Sequence, residues 1–373
     1  MKIVKAVLAL SAILIIAISL FYVIEWIWNE KPSPKIFVGV EFAYGDANDC
    51  KNLVDKVKNY TNLFIIGLPE LTFNQTRLNE LCDYIYASGL HFIVMFTNPQ
   101  SYRSYHPYVW IMKAVEKYGE KFLGVYYYDE PGGKQLDGDF GRMVVEAENY
   151  TEAAEIYVNY LSGHIEYYTY SGVDVFTSDY GLYWFDYKAG YDVVLVQFGW
   201  NHSRNLNIAL CRGAANVQGK DWGVIITWTF THPPYLESGD ELYNDLVLAH
   251  KAGAKYFVVF SYPKVTPYGT LTEEHFEALK KFWNYTKQNP GEHGVYKSEV
   301  GYVIPKDFGF GFRENNDTIW GLWEDNFSAE IWQDSLKLLS EYQLKFDIIY
   351  DDGEFRNIIK SRYKRLIFWN ATL

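Results

Sequence analysis

Apolar residues along this chain follow two rhythms. From Ile36 onward, short runs rich in β-branched and aromatic residues alternate with stretches in which apolar side chains recur every three or four positions. That alternation is the pattern of parallel strands joined by helices. Eight runs are counted, beginning near Ile36 (IFVGVEF), Leu63 (LFIIGL), His91 (HFIVMF), Phe122 (FLGVYYY), Asp174 (DVFTSD), Val193 (VVLVQF), Trp222 (WGVIITW) and Tyr256 (YFVVFSY). Between them the spacing predicts helices such as Arg77 to Ala87, Val109 to Tyr118, Thr151 to Tyr168, Leu242 to Ala252 and Glu273 to Thr286. Eight β/α units over residues 35–287 match the arithmetic of an α/β fold of the (β/α)8 TIM-barrel type. A doubly wound open sheet is the alternative, but it commonly carries a Gly-rich phosphate loop after its first strand, and GVEFAYGDAND is not one.

The barrel rhythm stops at Gln288-Asn-Pro-Gly-Glu-His-Gly294. Residues 295–373 then read as a small α/β accessory domain, with a strand at Glu299 to Ile304, a Gly/aromatic loop (DFGFGFRENN), a helix from Ser328 to Tyr342, and strands at Phe346 to Tyr350 and Arg365 to Trp369. A unit of this size buries too little surface to stand alone, so it is expected to pack on the barrel or to wall its cleft.

At the other end, Ala6 to Ile24 is uncharged and long enough to cross ~30 Å of hydrocarbon as a helix. Lys2 and Lys5 precede it and Glu25, Asn29 and Glu30 follow, which predicts a cytoplasmic N-terminus and an extracytoplasmic body. Trp26 and Trp28 fall where an interfacial aromatic belt belongs. Residues 1–30 are therefore read as a transmembrane signal anchor with its interface, giving a single-pass protein held in the membrane through residues 6–24. A cleaved signal peptide is the competing reading, although its apolar core is usually shorter and ends in small residues. The sequons Asn59, Asn74, Asn149, Asn201, Asn284, Asn316, Asn326 and Asn370 number eight, against roughly two or three expected by chance, and favour the same outward placement as sites of glycosylation. Many sequons with only three cysteines suit an archaeal cell surface.

Composition removes other classes. A net charge of −12 and no basic arm argue against nucleic acid. Cys50, Cys82 and Cys211 are too few for a disulfide framework, and no cysteine or histidine has a neighbour at metal-ligand spacing, so neither metal nor cofactor is expected. Cys50 and Cys82 lie on successive predicted helices and either pair or remain buried thiols.

In a (β/α)8 barrel, functional side chains gather at the C-terminal strand ends. Those ends hold Glu41, Glu70, Asn98, Asp129 with Glu130, Asp179, Gln197 with Trp200 and Asn201, Trp228 with His232, and Tyr262. Aromatic faces beside carboxylates and amides at a concave mouth are what sugar rings and hydroxyls require. Glu41, Tyr128, Gln197, Trp200, Trp228 and Tyr262 are accordingly read as substrate-binding, with a carbohydrate as the partner.

The sharpest motif is Tyr126-Tyr-Tyr-Asp-Glu-Pro-Gly-Gly133 at the end of the fourth strand. It resembles the fourth-strand ending of barrel glycoside hydrolases, in which a Glu preceded by a polar residue and often followed by Pro projects into the mouth as general acid. The resemblance implies that Glu130 is that acid and that Asp129 fills the polar position before it. A Glu kept protonated by burial among tyrosines can donate to a glycosidic oxygen. The match is partial. The seventh strand, where the best-known barrel hydrolases carry a nucleophilic Glu, reads Ile225-Ile-Thr-Trp-Thr-Phe230, and the aspartates of the chitinase-like signature are absent from Val125 to Tyr128. A second catalytic carboxylate must come from elsewhere, with Asp179 the first choice and Glu41 the second.

Plainer readings stand beside these. Asp-Glu-Pro-Gly-Gly also makes a strand-end turn, Asp179 a loop cap, the aromatics core filler, and His232 a loop residue. Two functions follow: a membrane-anchored extracytoplasmic glycoside hydrolase, or a non-catalytic surface protein that binds sugar or builds an envelope layer on a barrel scaffold.

Overall fold

The computed structural model describes residues 35–138 and 141–370. Eight strands, β1 (Phe37–Phe42), β2 (Leu63–Ile66), β3 (His91–Met95), β4 (Phe122–Tyr126), β5 (Asp174–Asp179), β6 (Val193–Phe198), β7 (Asp221–Ile226) and β8 (Tyr256–Phe260), pair in chain order and all in parallel. The ring closes where Phe37 to Glu41 of β1 pair with Tyr256 to Phe260 of β8, which excludes the open sheet. The outer layer consists of α1 (Ala47–Val57), α2 (Pro69–Thr72), α3 (Gln75–Ala87), α4 (Pro107–Tyr118), α5 (Pro131–Asp137), α6 (Tyr150–Thr169), α7 (Tyr183–Ala189), α8 (Arg204–Gln218), α9 (Gly239–Ala252) and α10 (Glu273–Gln288).

The strands lack a polar face because both of their faces are covered. Phe37, Leu63, Ile65, Ile93, Tyr126, Phe176, Leu195, Ile225, Tyr256 and Val258 fill the barrel interior as one cluster. The alternate residues, such as Val38, Val40 and Phe42, join the separate cluster beneath the helices. Local signals set the helix ends. Asp46 and Asp49 form a reciprocal capping box on α1, and Ser238 and Glu241 form one on α9. Most of the tryptophan and tyrosine goes into this helix–sheet layer, as the filler reading expects. Cys50, Cys82 and Cys211 are buried free thiols, and burial pushes each above its usual range.

Beyond the barrel, β9 (Val300–Ile304), α11 (Ser328–Tyr342), β10 (Phe346–Tyr350), α12 (Arg356–Arg362) and β11 (Arg365–Phe368) form a parallel sheet in the order β10-β9-β11. It docks on α8, whose residues from Leu206 to Ala215 are all buried because one side meets the barrel and the other the sheet. Arg212 fixes the junction. Its guanidinium pairs with the buried Asp347 at 2.8 Å and donates to the carbonyls of Leu344, Phe346 and Tyr296. Gly213 permits the close approach, since a Cβ there would lie 2.6 Å from the Ile348 carbonyl oxygen. Barrel and small sheet belong to one compact unit that begins at Ile36.

Among the described residues no helix is long and apolar enough to cross a membrane. The Ala6 to Ile24 segment, read above as the anchor, lies outside the described residues.

Candidate active site

Strand alternation builds the floor of the site. Glu41 shares the inward parity of Phe37, Ser178 that of Phe176, and Gln197 that of Leu195, so all three stand above the apolar interior at the C-terminal rim. Glu41 is 4% exposed and lies against Gly67, where any Cβ would fall 2.2 Å from its Oε1. Burial pushes its carboxyl up to about 8, with Asp129 and Glu130 adding to the rise.

The chain leaves β4 by an unusual path. Tyr128 and Glu130 both adopt positive φ, at 58° and 54°, which costs roughly 1–3 kcal/mol each in a non-glycine residue and persists only where the surroundings impose it. Two hydrogen bonds to β5 help to impose it here. The Glu130 N–H donates to the Ser178 carbonyl at 3.0 Å, and the Thr177 hydroxyl donates to the Tyr128 carbonyl at 2.8 Å. Pro131 then opens α5, and Lys134 reaches back to the Asp129 carbonyl.

The side chains carried on that turn form a continuous network. Asp129 Oδ1 accepts from the hydroxyls of Tyr126 and, at 3.0 Å, Ser178. Gln197 Nε2 donates to Ser178 Oγ at 2.9 Å and to Glu130 Oε1 at 2.7 Å. Burial and the Asp129 charge push the Glu130 carboxyl up to about 7, against the lowering pull of the Gln197 hydrogen bond and of Lys134. Glu41, Asp129 and Glu130 thus crowd one rim, and a cluster that resists full ionisation stabilises any positive charge placed among it.

An aromatic wall stands on the neighbouring strand ends. Trp228 stacks on Tyr262 with ring centroids 6.0 Å apart at 12°, donates from Nε1 to the Tyr262 carbonyl at 2.6 Å, and meets Trp200 edge-on at 6.3 Å and Tyr235 at 5.0 Å. Trp200 and Tyr262 keep 36% and 47% exposure, so their faces are open. Arg204 organises this side. Its guanidinium donates to the carbonyls of Gly199, Trp200 and His202 and pairs with Glu237 at 3.0 Å and Asp245 at 2.9 Å, tying the β6 loop to α9 and the loop before it.

Of the residues singled out from sequence, Glu41, Asp129, Glu130 and Gln197 meet at the carboxyl cluster, and Trp200, Trp228 and Tyr262 at the wall. Two go elsewhere. Tyr128 turns outward against Tyr160 and His164 of α6. Asp179 has the opposite parity to Ser178, is 0% exposed, and accepts four backbone N–H groups, from Gly132, Gly133, Tyr180 and Gly181. Glu70, Asn98, Asn201 and His232 are exposed. Sequence reasoning missed Tyr126, Ser178 and Tyr235. Alternation from Phe176 points to Ser178, but Tyr235 reaches the wall through the Pro233-Pro234 loop and leaves no periodic signal. Among the described residues no group of histidines, cysteines or carboxylates is arranged to hold a metal ion.

The accessory unit closes one flank. Trp320, in the loop after β9, is fully buried against Phe185 and Tyr157, and its carbonyl accepts from Gln135 of α5 at 2.8 Å. Arg313 of the same loop pairs with Asp137, at the end of α5, and with Asp317 at 2.6 Å.

These features define a closed (β/α)8 barrel with a carboxyl-rich rim and an aromatic wall, and solved structures bear the fold out. An alpha-L-fucosidase isoenzyme 2 from Paenibacillus thiaminolyticus is similar over 89% of this chain with a TM-score of 0.53 and 12% identity, and this chain spans 59% of that one. GH5_18 from Bifidobacterium longum subsp. longum ATCC 55813 is similar over 90% of this chain and 98% of its own, with a TM-score of 0.52 and 10% identity. A variant of that enzyme in complex with Manb1-4GlcNAc covers 87% of this chain and 90% of its own, at a TM-score of 0.51 and 10% identity. No protein-family model matches the sequence, and no curated protein matches it.

Proposed function

We propose that the protein hydrolyses glycosidic bonds, with Glu130 as general acid and Glu41 as the second carboxyl. The observation that carries this reading is the convergence of Glu41, Asp129 and Glu130 on one rim beside the exposed rings of Trp200 and Tyr262, against which Trp228 packs. A sugar stacked on the wall presents its glycosidic oxygen to Glu130, which is raised to about 7, keeps a large protonated fraction at neutral pH and can donate as the bond breaks. The positive charge that grows on an oxocarbenium-like sugar is stabilised by the neighbouring carboxylate charge, and water adds to the anomeric carbon while its proton passes to Glu41 in its ionised form, which completes hydrolysis. The hydroxyls of Tyr126 and Ser178 hold Asp129 in place meanwhile. The complex of the Bifidobacterium enzyme with Manb1-4GlcNAc supports a sugar ligand on this fold.

The test is a panel of aryl glycosides and polysaccharides offered to the purified full-length protein and to Glu130→Gln. Cleavage by wild type and not by the variant upholds the enzyme. One observation favours a second reading, a sugar-binding surface protein without turnover: β7 ends in Thr227 and Trp228 with no carboxylate. Equal sugar binding by both proteins with no cleavage by either would select it.

A membrane-held body outside the cytoplasm is part of the same proposal. The apolar run of residues 6–24 supports it, as does the exposure of all eight sequon asparagines, including Asn74 and Asn149, whose Oδ1 atoms cap helices and leave Nδ2 for a glycan. Protease added to intact cells should degrade the body. Full protection would overturn the placement.

A further inference from the structure

Asp179 was expected at the reaction and stands instead one layer behind it, which raises the question of what so many hydrogen bonds secure. Its Oδ2 accepts from Gly132 N–H at 2.5 Å, and its Oδ1 accepts from Gly133, Tyr180 and Gly181 at 2.9, 2.7 and 3.2 Å. The first two belong to the turn that follows Glu130, the last two to the turn that follows β5. One carboxylate therefore bridges the two loops, and the glycines let it. A Cβ on Gly132 would fall 2.4 Å from the Gly181 carbonyl oxygen, and one on Gly133 would fall 2.1 Å from the Tyr180 ring. Behind Asp179 lies Asp186, equally buried, with Oδ1 accepting from the Tyr157 hydroxyl at 2.7 Å and Oδ2 left without a partner. Burial and the Asp179 charge hold the Asp186 carboxyl well above the usual range, and burial raises Asp179 to about 7 against the lowering pull of its backbone donors.

We propose that Asp179 is a positioning residue: its hydrogen bonds to Gly132 and Gly133, together with the Glu130 N–H bond to the Ser178 carbonyl, hold Glu130 in its left-handed conformation and so aim the carboxyl at the mouth. The role rests on the reading of Glu130 as the acid. A neutral amide cannot replace Asp179, because in Asp179→Asn either the NH2 group or a lost acceptor faces the Gly132 or Gly133 N–H. An amide can replace Asp186, since its oxygen still accepts from the Tyr157 hydroxyl.

The experiment compares Asp179→Asn and Asp186→Asn in the full-length protein by steady-state kinetics and by amide exchange of the 127–136 peptide. Asp179→Asn is expected to lower kcat about 100-fold with KM within about 3-fold, the signature of a misplaced acid, and to speed exchange at Gly132 and Gly133. Asp186→Asn should keep kcat within about 3-fold and exchange unchanged. Wild-type kcat in Asp179→Asn, a loss confined to KM, or equal losses in both variants would overturn the proposal. Should Asp179→Asn fail to fold, Gly132→Ala moves the turn while keeping the carboxylate, and unchanged kcat there overturns it equally. Full turnover by Glu130→Gln sinks the acid reading instead, and exchange at Gly132 and Gly133 then judges the lock by itself.

Discussion

The ends of β4 and β7 answer the same topological demand in different ways. At β4 the chain ends in Asp129 and Glu130, twists into a left-handed residue, and is fastened by hydrogen bonds to β5 on either side of Glu130. At β7 it ends in Thr227 and Trp228, where the loops are tied by the Trp200 N–H donating to the Trp228 carbonyl and by Arg204, while the ring faces themselves meet by stacking and one indole donor. Hydrogen bonds are directional and fix an atom to fractions of an ångström, whereas ring contacts are broad and forgive small shifts. The first suits a proton that must be delivered to one oxygen. The second suits a sugar face that needs only to be gripped.

The comparison is broken most severely at Glu130. Glu130→Gln should cut kcat about 10²–10⁴-fold while sugar binding, read by tryptophan fluorescence, persists. Loss of binding with unchanged kcat would mean that the two ends share one job.

Next comes pH. Folding raises the Glu41 carboxyl from its ordinary 4.5 to about 8, so the folded state binds more protons across that window, and stability falls as pH rises through it. Glu41→Gln removes the cost and should raise stability at pH 8 by on the order of 2 kcal/mol relative to wild type, with little gain at pH 4. Thermal melts at both pH values check this, and an equal gain at both would refute the buried-charge account.

At the wall, Trp228→Ala should raise KM about 10-fold with kcat within about 3-fold, because a lost stacking face weakens ground and transition states alike. A fall in kcat of the size seen for Glu130→Gln would erase the distinction between the two ends. The smallest effect is expected at Asn201, exposed beside Trp200, where Asn201→Gln should shift stability by less than about 0.5 kcal/mol. Mass spectrometry of protein from a glycosylating host should show one glycan fewer.

The fold was legible because the barrel strands are covered on both faces and so read as unbroken apolar runs, and because eight of them fit the closed count. Glu41, Gln197 and the Asp129-Glu130 pair were legible as polar residues that end such runs. Asp179 was not legible in this way. Position at a strand end does not say which face a residue takes, and in DVFTSD each parity holds one apolar residue, Phe176 or Val175, so the choice of inward face, with Ser178 turning in and Asp179 turning toward α5, comes from the coordinates. Tyr128 failed for a related reason, since a positive φ breaks the alternation on which any facing argument depends. The arginine brace under Trp200 was invisible, because Arg204, Glu237 and Asp245 are separated in sequence and joined only by the loops they tie.

The burial of Trp320 beneath α5 bears on how this chain can be cut or recombined. Its carbonyl holds Gln135, five residues from Glu130, and Arg142 donates to the neighbouring Gly321 carbonyl at 3.0 Å. The seam in composition near Pro290 therefore does not separate two independent modules. A version ending there would surrender the prop beneath its own acid-bearing turn, so inheritance of the barrel without its tail should be rare unless another segment has taken over that post.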